Sequence, residues 1–199
     1  MCYLTLHLAG TEQQLMGEHS NDITQELALL HTLDGGDYSR QVERIARRSE
    51  FYPLKGEEGI FVCGGETDAD FNNLLNAARK AVFHGYKVFI LPNPRGLRTP
   101  DLILERKGLF KVYDVKTIQG KSSAINRMRE SIGQANRIIL NMATDYNGRL
   151  LASDIKAYFE MNVDASEVMI FKGNKLLLVQ RGLVRNGMFN RIFRKMYEK

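Results

Sequence analysis

The chain has 199 residues, of which 44% are hydrophobic and 26% charged, with a formal net charge of +5. That is enough for one large domain, or one domain with an appendage, with an adequate core, and no apolar run approaches a membrane span. No basic region followed by a long hydrophobic stretch opens the sequence, so neither membrane insertion nor export by its own signal is expected, and the expected place of action is the cytoplasm. Its two cysteines, Cys2 and Cys63, fit neither a zinc cluster nor a disulfide framework. The charge is unevenly placed. Residues 1–85 carry 7 basic and 13 acidic side chains, net −6, and residues 86–199 carry 21 and 10, net +11. A basic half attracts polyanions, nucleic acid first among them, although a solvated basic surface has the same composition.

Residues 1–58 give weak signals. Ile23 to Leu33 and Tyr38 to Phe51 read as short helices separated by a turn at Asp34-Gly35-Gly36-Asp37. From Ile60 the pattern sharpens, and residues 59–199 read as the functional domain. Ile60-Phe61-Val62-Cys63 is an apolar run broken by Gly64-Gly65. Thr67 suits a helix cap with Asp70 three residues on, and Phe71, Leu74, Leu75, Ala78 and Val82 share one helical face. His84-Gly85 ends that helix. Lys87 to Leu91 reads as a buried strand stopped by Pro92, with a loop from Asn93 to Arg98. Two strands follow around Glu105-Arg106-Lys107-Gly108, which has the polarity and glycine of a hairpin turn. A helix over Ser123 to Asn136 comes next, then a strand at Arg137 to Met142. A helix at Asp154 to Met161 and a hairpin from Val168 to Val179 around Gly173-Asn174 complete the reading.

The chemistry concentrates in the strand pair. Pro100-Asp101 opens one short apolar run, and Asp114-Val115-Lys116 closes the next. Alternation along a strand puts Asp114 and Lys116 on one face, and a hairpin folded on itself brings Asp101 near them, with the register left open. Two carboxylates and an ammonium on one patch suit metal-assisted phosphodiester hydrolysis: the acids hold Mg2+ or Mn2+, and the lysine orients water or stabilises developing charge. A turn followed by a solvated strand face would show the same residues.

Helix, three strands, helix and strand over residues 66–142, with Pro-Asp on the second strand and Asp-x-Lys on the third, resemble the PD-(D/E)XK nuclease superfamily. Asp114-Val115-Lys116-Thr117, the later Ile132-Gly133-Gln134-Ala135 and Ile138-Ile139-Leu140 are similar to toxin nucleases of contact-dependent growth inhibition and phage-borne polymorphic toxins, many of which cut tRNA. The resemblance implies an α/β fold with a restriction-endonuclease-like core, a mixed central sheet flanked by helices. It implies Asp101 and Asp114 as metal ligands, Lys116 as the catalytic lysine, RNA as substrate ahead of DNA, a cognate inhibitor or immunity protein, and delivery by a larger toxin or phage system.

One departure concerns the acid that the superfamily takes from its first helix. That helix offers Asn72, Asn73 and Asn76 instead, which leaves Glu66, just ahead of it, as the candidate third ligand; an acid near a helix amino terminus is also favoured for its charge alone. Thr117 and Gln134 are secondary candidates for contact with water, metal or phosphate.

Residues 181–199 hold six basic residues against Glu198. Phe189, Ile192, Phe193 and Met196 form the stripe of a docking helix, and Arg185, Arg191, Arg194 and Lys195 are candidate phosphate contacts. A metal-independent ribonuclease would need histidine, but His7, His19, His31 and His84 lie outside the basic half and form no motif. The expectation is therefore a metal-dependent nuclease. A DNA endonuclease of restriction, repair or phage origin, and a non-catalytic nucleic-acid-binding or phage structural module, stand as alternatives.

Overall fold

The computed structural model describes residues 23–64, 70–93, 98–120 and 124–199. Two helices begin it: α1, residues 23–29 continued by a 3-10 turn at Leu30–Thr32, and α2, Gly35–Ala46. Eight strands then form one mixed sheet whose spatial order follows the chain. β1 (Phe51–Pro53) is antiparallel to β2 (Ile60–Cys63), which runs parallel to β3 (Lys87–Ile90) with α3 (Phe71–Phe83) between them. β3, β4 (Leu102–Arg106) and β5 (Leu109–Ile118) form an antiparallel meander. β5, β6 (Arg137–Met142) and β7 (Glu167–Lys172) are parallel, joined by α4 (Ala124–Glu130) and α5 (Gly148–Met161). Parallel neighbours need such crossovers, so each helix is fixed by the strands that flank it. β8 (Lys175–Gln180) closes the sheet antiparallel, followed by α6 (Arg181–Val184) and α7 (Phe189–Glu198). The fold class is α/β, a mixed central sheet flanked by helices.

Alternation along the strands sorts the core into layers. Val88, Ile90, Leu102, Leu104, Tyr113, Val115, Ile139, Met169 and Phe171 point to the face covered by α3. The opposite face is shared. Ile103 and Val112 pack under α1 and α2 with Ile23, Leu27, Val42 and Ile45, whereas Ile118, Ile138, Leu140, Val168 and Ile170 pack under α4, α5 and α7. The segment ahead of residue 59, weak in sequence, thus supplies α1, α2 and β1 to the same layered core.

Several boundaries differ from the sequence reading. Gly35 and Gly36 belong to α2 rather than to a turn, and that helix ends at Ala46. Phe51 leaves it because its backbone pairs with Cys63 and its ring meets Phe89 edge-on, centroids 5.5 Å apart. α3 begins at Phe71 with Asp70 in the N-cap position, its side chain making no capping bond, and Thr67 lies outside the described residues. α4 is shorter than expected, since Gly133 sits at φ 84 in the turns that follow Glu130. α5 starts six residues ahead of Asp154 because the Asn147 side chain caps it, accepting from the amides of Arg149 and Leu150 at 3.0 Å. In α7 the buried line is Phe189, Phe193 and Tyr197, with Met196 turned outward.

Candidate active site

The hairpin between β4 and β5 sets the site. Lys107 and Gly108 turn it with φ of 55° and 77°, a pair of left-handed residues whose twist matches the strands. Leu102 then pairs with Tyr113, and one step further Asp101 comes opposite Asp114. At this point β5 changes partner: it pairs with β4 up to Tyr113 and with β6 from Asp114 onward. The Asp101 amide donates to the Tyr113 carbonyl at 3.0 Å, and Asp101 Oδ2 accepts from the Val115 amide at 2.6 Å. The carboxylate thereby holds the strand amide exposed where the β4 ladder ends.

Asp114 and Lys116 share the face of β5 that carries Val112 and Ile118, at the junction of the two helical clusters. Asp114 is fully buried. Lys116 Nζ donates to its Oδ1 at 3.1 Å. The second oxygen, Oδ2, lies 2.9 Å from the same ammonium, outside hydrogen-bonding geometry, and has no hydrogen-bond partner among the described residues. Burial, and then the charge of Asp114, hold the Asp101 carboxyl well above the usual carboxylate range, against the opposing pull of the Val115 amide and Lys116. Burial also raises Asp114, and Lys116 works against it. Two acids that cannot ionise together without cost are poised for a cation.

Asp101 and Lys116 open on a cavity of about 290 Å³, with Asp114 buried behind them. Asp101, Val115, Lys116 and Thr117 line it from the strand side, Asp70 and Asn73 from the N-cap and first turn of α3, and Arg127, Glu130 and Gln134 from the α4 side. Thr99 also lines it, and its buried hydroxyl has no partner among the described residues. Glu130 pairs with Arg127 at 3.0 Å, and its backbone carbonyl accepts from Gln134 Nε2 at 2.8 Å. Thr117 and Gln134, secondary candidates in sequence, are therefore cavity residues. Arg127, Glu130 and Thr99 were missed. Arg127, Glu130 and Gln134 recur three and four residues apart opposite the buried Ala124 and Met128, a polar stripe that could have flagged them. Glu66 lies outside the described residues.

The basic carboxyl terminus sits elsewhere. α7 packs on α5 through Phe189, Phe193 and Tyr197, and Arg185, Arg191, Arg194 and Lys195 do not line the Asp101 cavity. Arg191 and Lys195 are exposed, Arg194 pairs with Glu198 at 3.2 Å, and Arg185 lines a separate cavity of about 360 Å³ with Lys156 and Asn190. Arg181 caps the end of α5, donating to the carbonyls of Ala165 at 2.8 Å and Phe159 at 2.9 Å and to that of Asn162. His84 stacks on Phe171, centroids 6.0 Å apart, on the other side of the sheet from Asp114.

The donor set fits a hard divalent cation. Two facing carboxylates, one with a buried oxygen that no donor among the described residues reaches, suit Mg2+ or Mn2+, which bind few protein oxygens and keep much of their water. Among the described residues no three His, Cys, Asp or Glu side chains converge as a metal-binding group. No helix in that set is long and apolar enough to cross a membrane.

No protein-family model matches the chain, and no curated protein matches it in sequence. Among solved structures it is similar to a chain of the CdiA-CT/CdiI toxin and immunity complex from Burkholderia pseudomallei, at 17% identity and a TM-score of 0.41, over 60% of this chain and 98% of that one.

Proposed function

We propose that the protein is a metal-dependent nuclease that hydrolyses phosphodiester bonds at the Asp101–Asp114–Lys116 site. The observation that carries this reading is the facing pair of acids, one with a buried oxygen that has no hydrogen-bond partner among the described residues, with a lysine on the same face at the edge of a polar cavity. A bound Mg2+ or Mn2+ would polarise the phosphate and acidify an attacking water. The chain's own residues divide the remaining work. Asp101 and Asp114 hold the cation, Asp101 being fixed in place by the Val115 amide. Lys116 lines the cavity, where its charge opposes the negative charge that builds on the phosphate oxygens during attack. Thr117 and Gln134 offer polar contacts to water or phosphate from two walls.

The motif resemblance favours RNA, including tRNA, over DNA, and a toxin that requires a cognate immunity protein and is delivered by a larger toxin or phage system. Incubation of the purified protein with total RNA, plasmid and single-stranded DNA, each with Mg2+, Mn2+ or EDTA, tests the proposal. Cleavage of RNA that EDTA abolishes is the expected result. Cleavage of DNA alone moves the protein to the endonuclease alternative. Binding without cleavage under all metal conditions, or cleavage indifferent to EDTA, overturns the reading.

A further inference from the structure

On the α3 side of the sheet, a line of polar groups leaves the cavity and ends at a lysine that has no acid beside it among the described residues. Thr117 lines the cavity and is the strand neighbour of Asn141 on β6. Asn141 is only 2% exposed, and both ends of its amide are engaged: Oδ1 accepts from Lys80 Nζ at 2.7 Å, and Nδ2 donates to Asn76 Oδ1 at 3.0 Å. Along α3, Asn73, Asn76 and Lys80 recur at helical spacing on one face. Asn73 stands at the cavity, and Lys80 stands seven residues on, about 10 Å along the helix axis.

Lys80 is the exception among the half-buried lysines of the described residues. Lys111 is paired with Glu167, Lys116 with Asp114 and Lys172 with Asp145, whereas among the described residues Lys80 has only the neutral Asn141 amide. A cation drawn out of water without a counter-charge is costly, and burial pushes the Lys80 ammonium down from its ordinary value. An ammonium engages one hydrogen bond here and has two more to give. A buried amide that holds the ammonium at one end and is itself fixed by Asn76 at the other, one strand over from the cavity residue Thr117, describes an anion site that is complete only with substrate.

We infer that Lys80, aligned by Asn141 and Asn76, holds a backbone phosphate of the substrate strand adjacent to the one being cut. This rests on the nuclease reading and adds a direction to it: the strand runs from the cavity along α3, on the opposite side of the sheet from α7.

The test uses the full chain in an Asp114→Asn background, so that substrate is not consumed. Labelled single-stranded RNA and DNA of one sequence are titrated by fluorescence anisotropy over a salt series. Lys80→Gln is expected to weaken binding severalfold at low salt and to reduce the slope of log affinity against log salt by about 0.7, the share of one phosphate contact on a single strand. Lys80→Arg should retain the slope, and so should Lys87→Gln, which removes an exposed cation from β3. Parental slope and affinity in a folded Lys80→Gln protein overturn the inference while leaving the nuclease reading intact. If Lys80→Gln loses its fold, the exposed Asn76→Ala replaces it, with weakened binding expected and unchanged binding refuting. A parental protein that binds neither probe removes the nuclease reading and this inference together.

Discussion

Two buried carboxylates on the sheet have the same lysine distance and opposite meaning. Glu167 is 3% exposed, with Lys111 at 2.9 Å from Oε2, and the Tyr113 hydroxyl donates to Oε1. Asp114 is fully buried, with Lys116 at 2.9 Å from Oδ2, but among the described residues no amide or hydroxyl donates to that oxygen, and a second acid faces it. Glu167 is a closed unit: its tyrosine hydroxyl is pushed far up by burial and the neighbouring carboxylate, so it stays a donor. Asp114 is an open one. A lysine beside a buried acid therefore does not distinguish structure from chemistry. The proposed function rests instead on the second oxygen and the like-charged neighbour.

Substitutions at the two acids should move in opposite directions. Asp114→Asn is expected to reduce cleavage by roughly 100-fold or more, since even outer-shell partners of metal sites cost 10–100-fold. It should raise or leave unchanged the metal-free thermal midpoint, because it removes one of two facing charges. Cleavage assays and melting curves on the same preparation check both halves. Next in size, Lys116→Ala should lower kcat by roughly 100-fold with KM little changed, the signature of an interaction made in the transition state. A loss confined to KM would make Lys116 a phosphate anchor. Glu167→Gln should leave cleavage near the parental rate but cost about 1–3 kcal/mol of stability, read as a lower urea midpoint, through the weakened bonds to Tyr113 and Lys111.

The acid pair also predicts a pH dependence. Both carboxyls are raised in the folded state from an ordinary 3.8, so the native protein binds protons more tightly than the unfolded chain. Stability of the metal-free protein should therefore fall as pH rises from about the ordinary carboxylate value through the folded-state values. The slope should be absent from that window in a protein saturated with Mg2+, where the cation offsets the charges. Urea titrations at several pH values, with and without Mg2+, measure it. The smallest effect is expected at the carboxyl terminus. Arg191, Arg194 and Lys195 replaced together by Gln should flatten the salt dependence of nucleic-acid binding by less than one contact per residue, because Arg194 is partly committed to Glu198. An unchanged slope would make α7 a solvated helix face, and a loss of folding would point to packing by the arginine stems.

The strand pair was legible in sequence because its signals are local: a Lys107-Gly108 turn, two alternating runs, and acids at their ends. The register that sets Asp101 opposite Asp114 followed only from the two-residue turn. The α3, β3, β4, β5, α4, β6 order was legible for the same reason, each element carrying its own period and stop. Ile23, Leu27, Val42 and Ile45 were harder to assign, since their worth lies in Ile103 and Val112, distant in sequence. Thr99 was missed because a side chain becomes a cavity residue through the packing of its element, which no short motif encodes; Glu130 had a signal, its three- and four-residue spacing to Arg127 and Gln134. Arg185 to Lys195 look like a nucleic-acid surface by composition, yet the position of α7 on α5 follows from Phe189, Phe193 and Tyr197 rather than from charge.

The most direct test of the cation site is a calorimetric titration of Mn2+ into the wild-type protein, Asp114→Asn and Glu167→Gln, all shown to be folded. Saturable binding in the wild type and in Glu167→Gln, and its loss in Asp114→Asn, is the predicted result. Equal binding by the wild type and Asp114→Asn, or no binding by the wild type, would contradict the assignment of Asp101 and Asp114 as a metal centre.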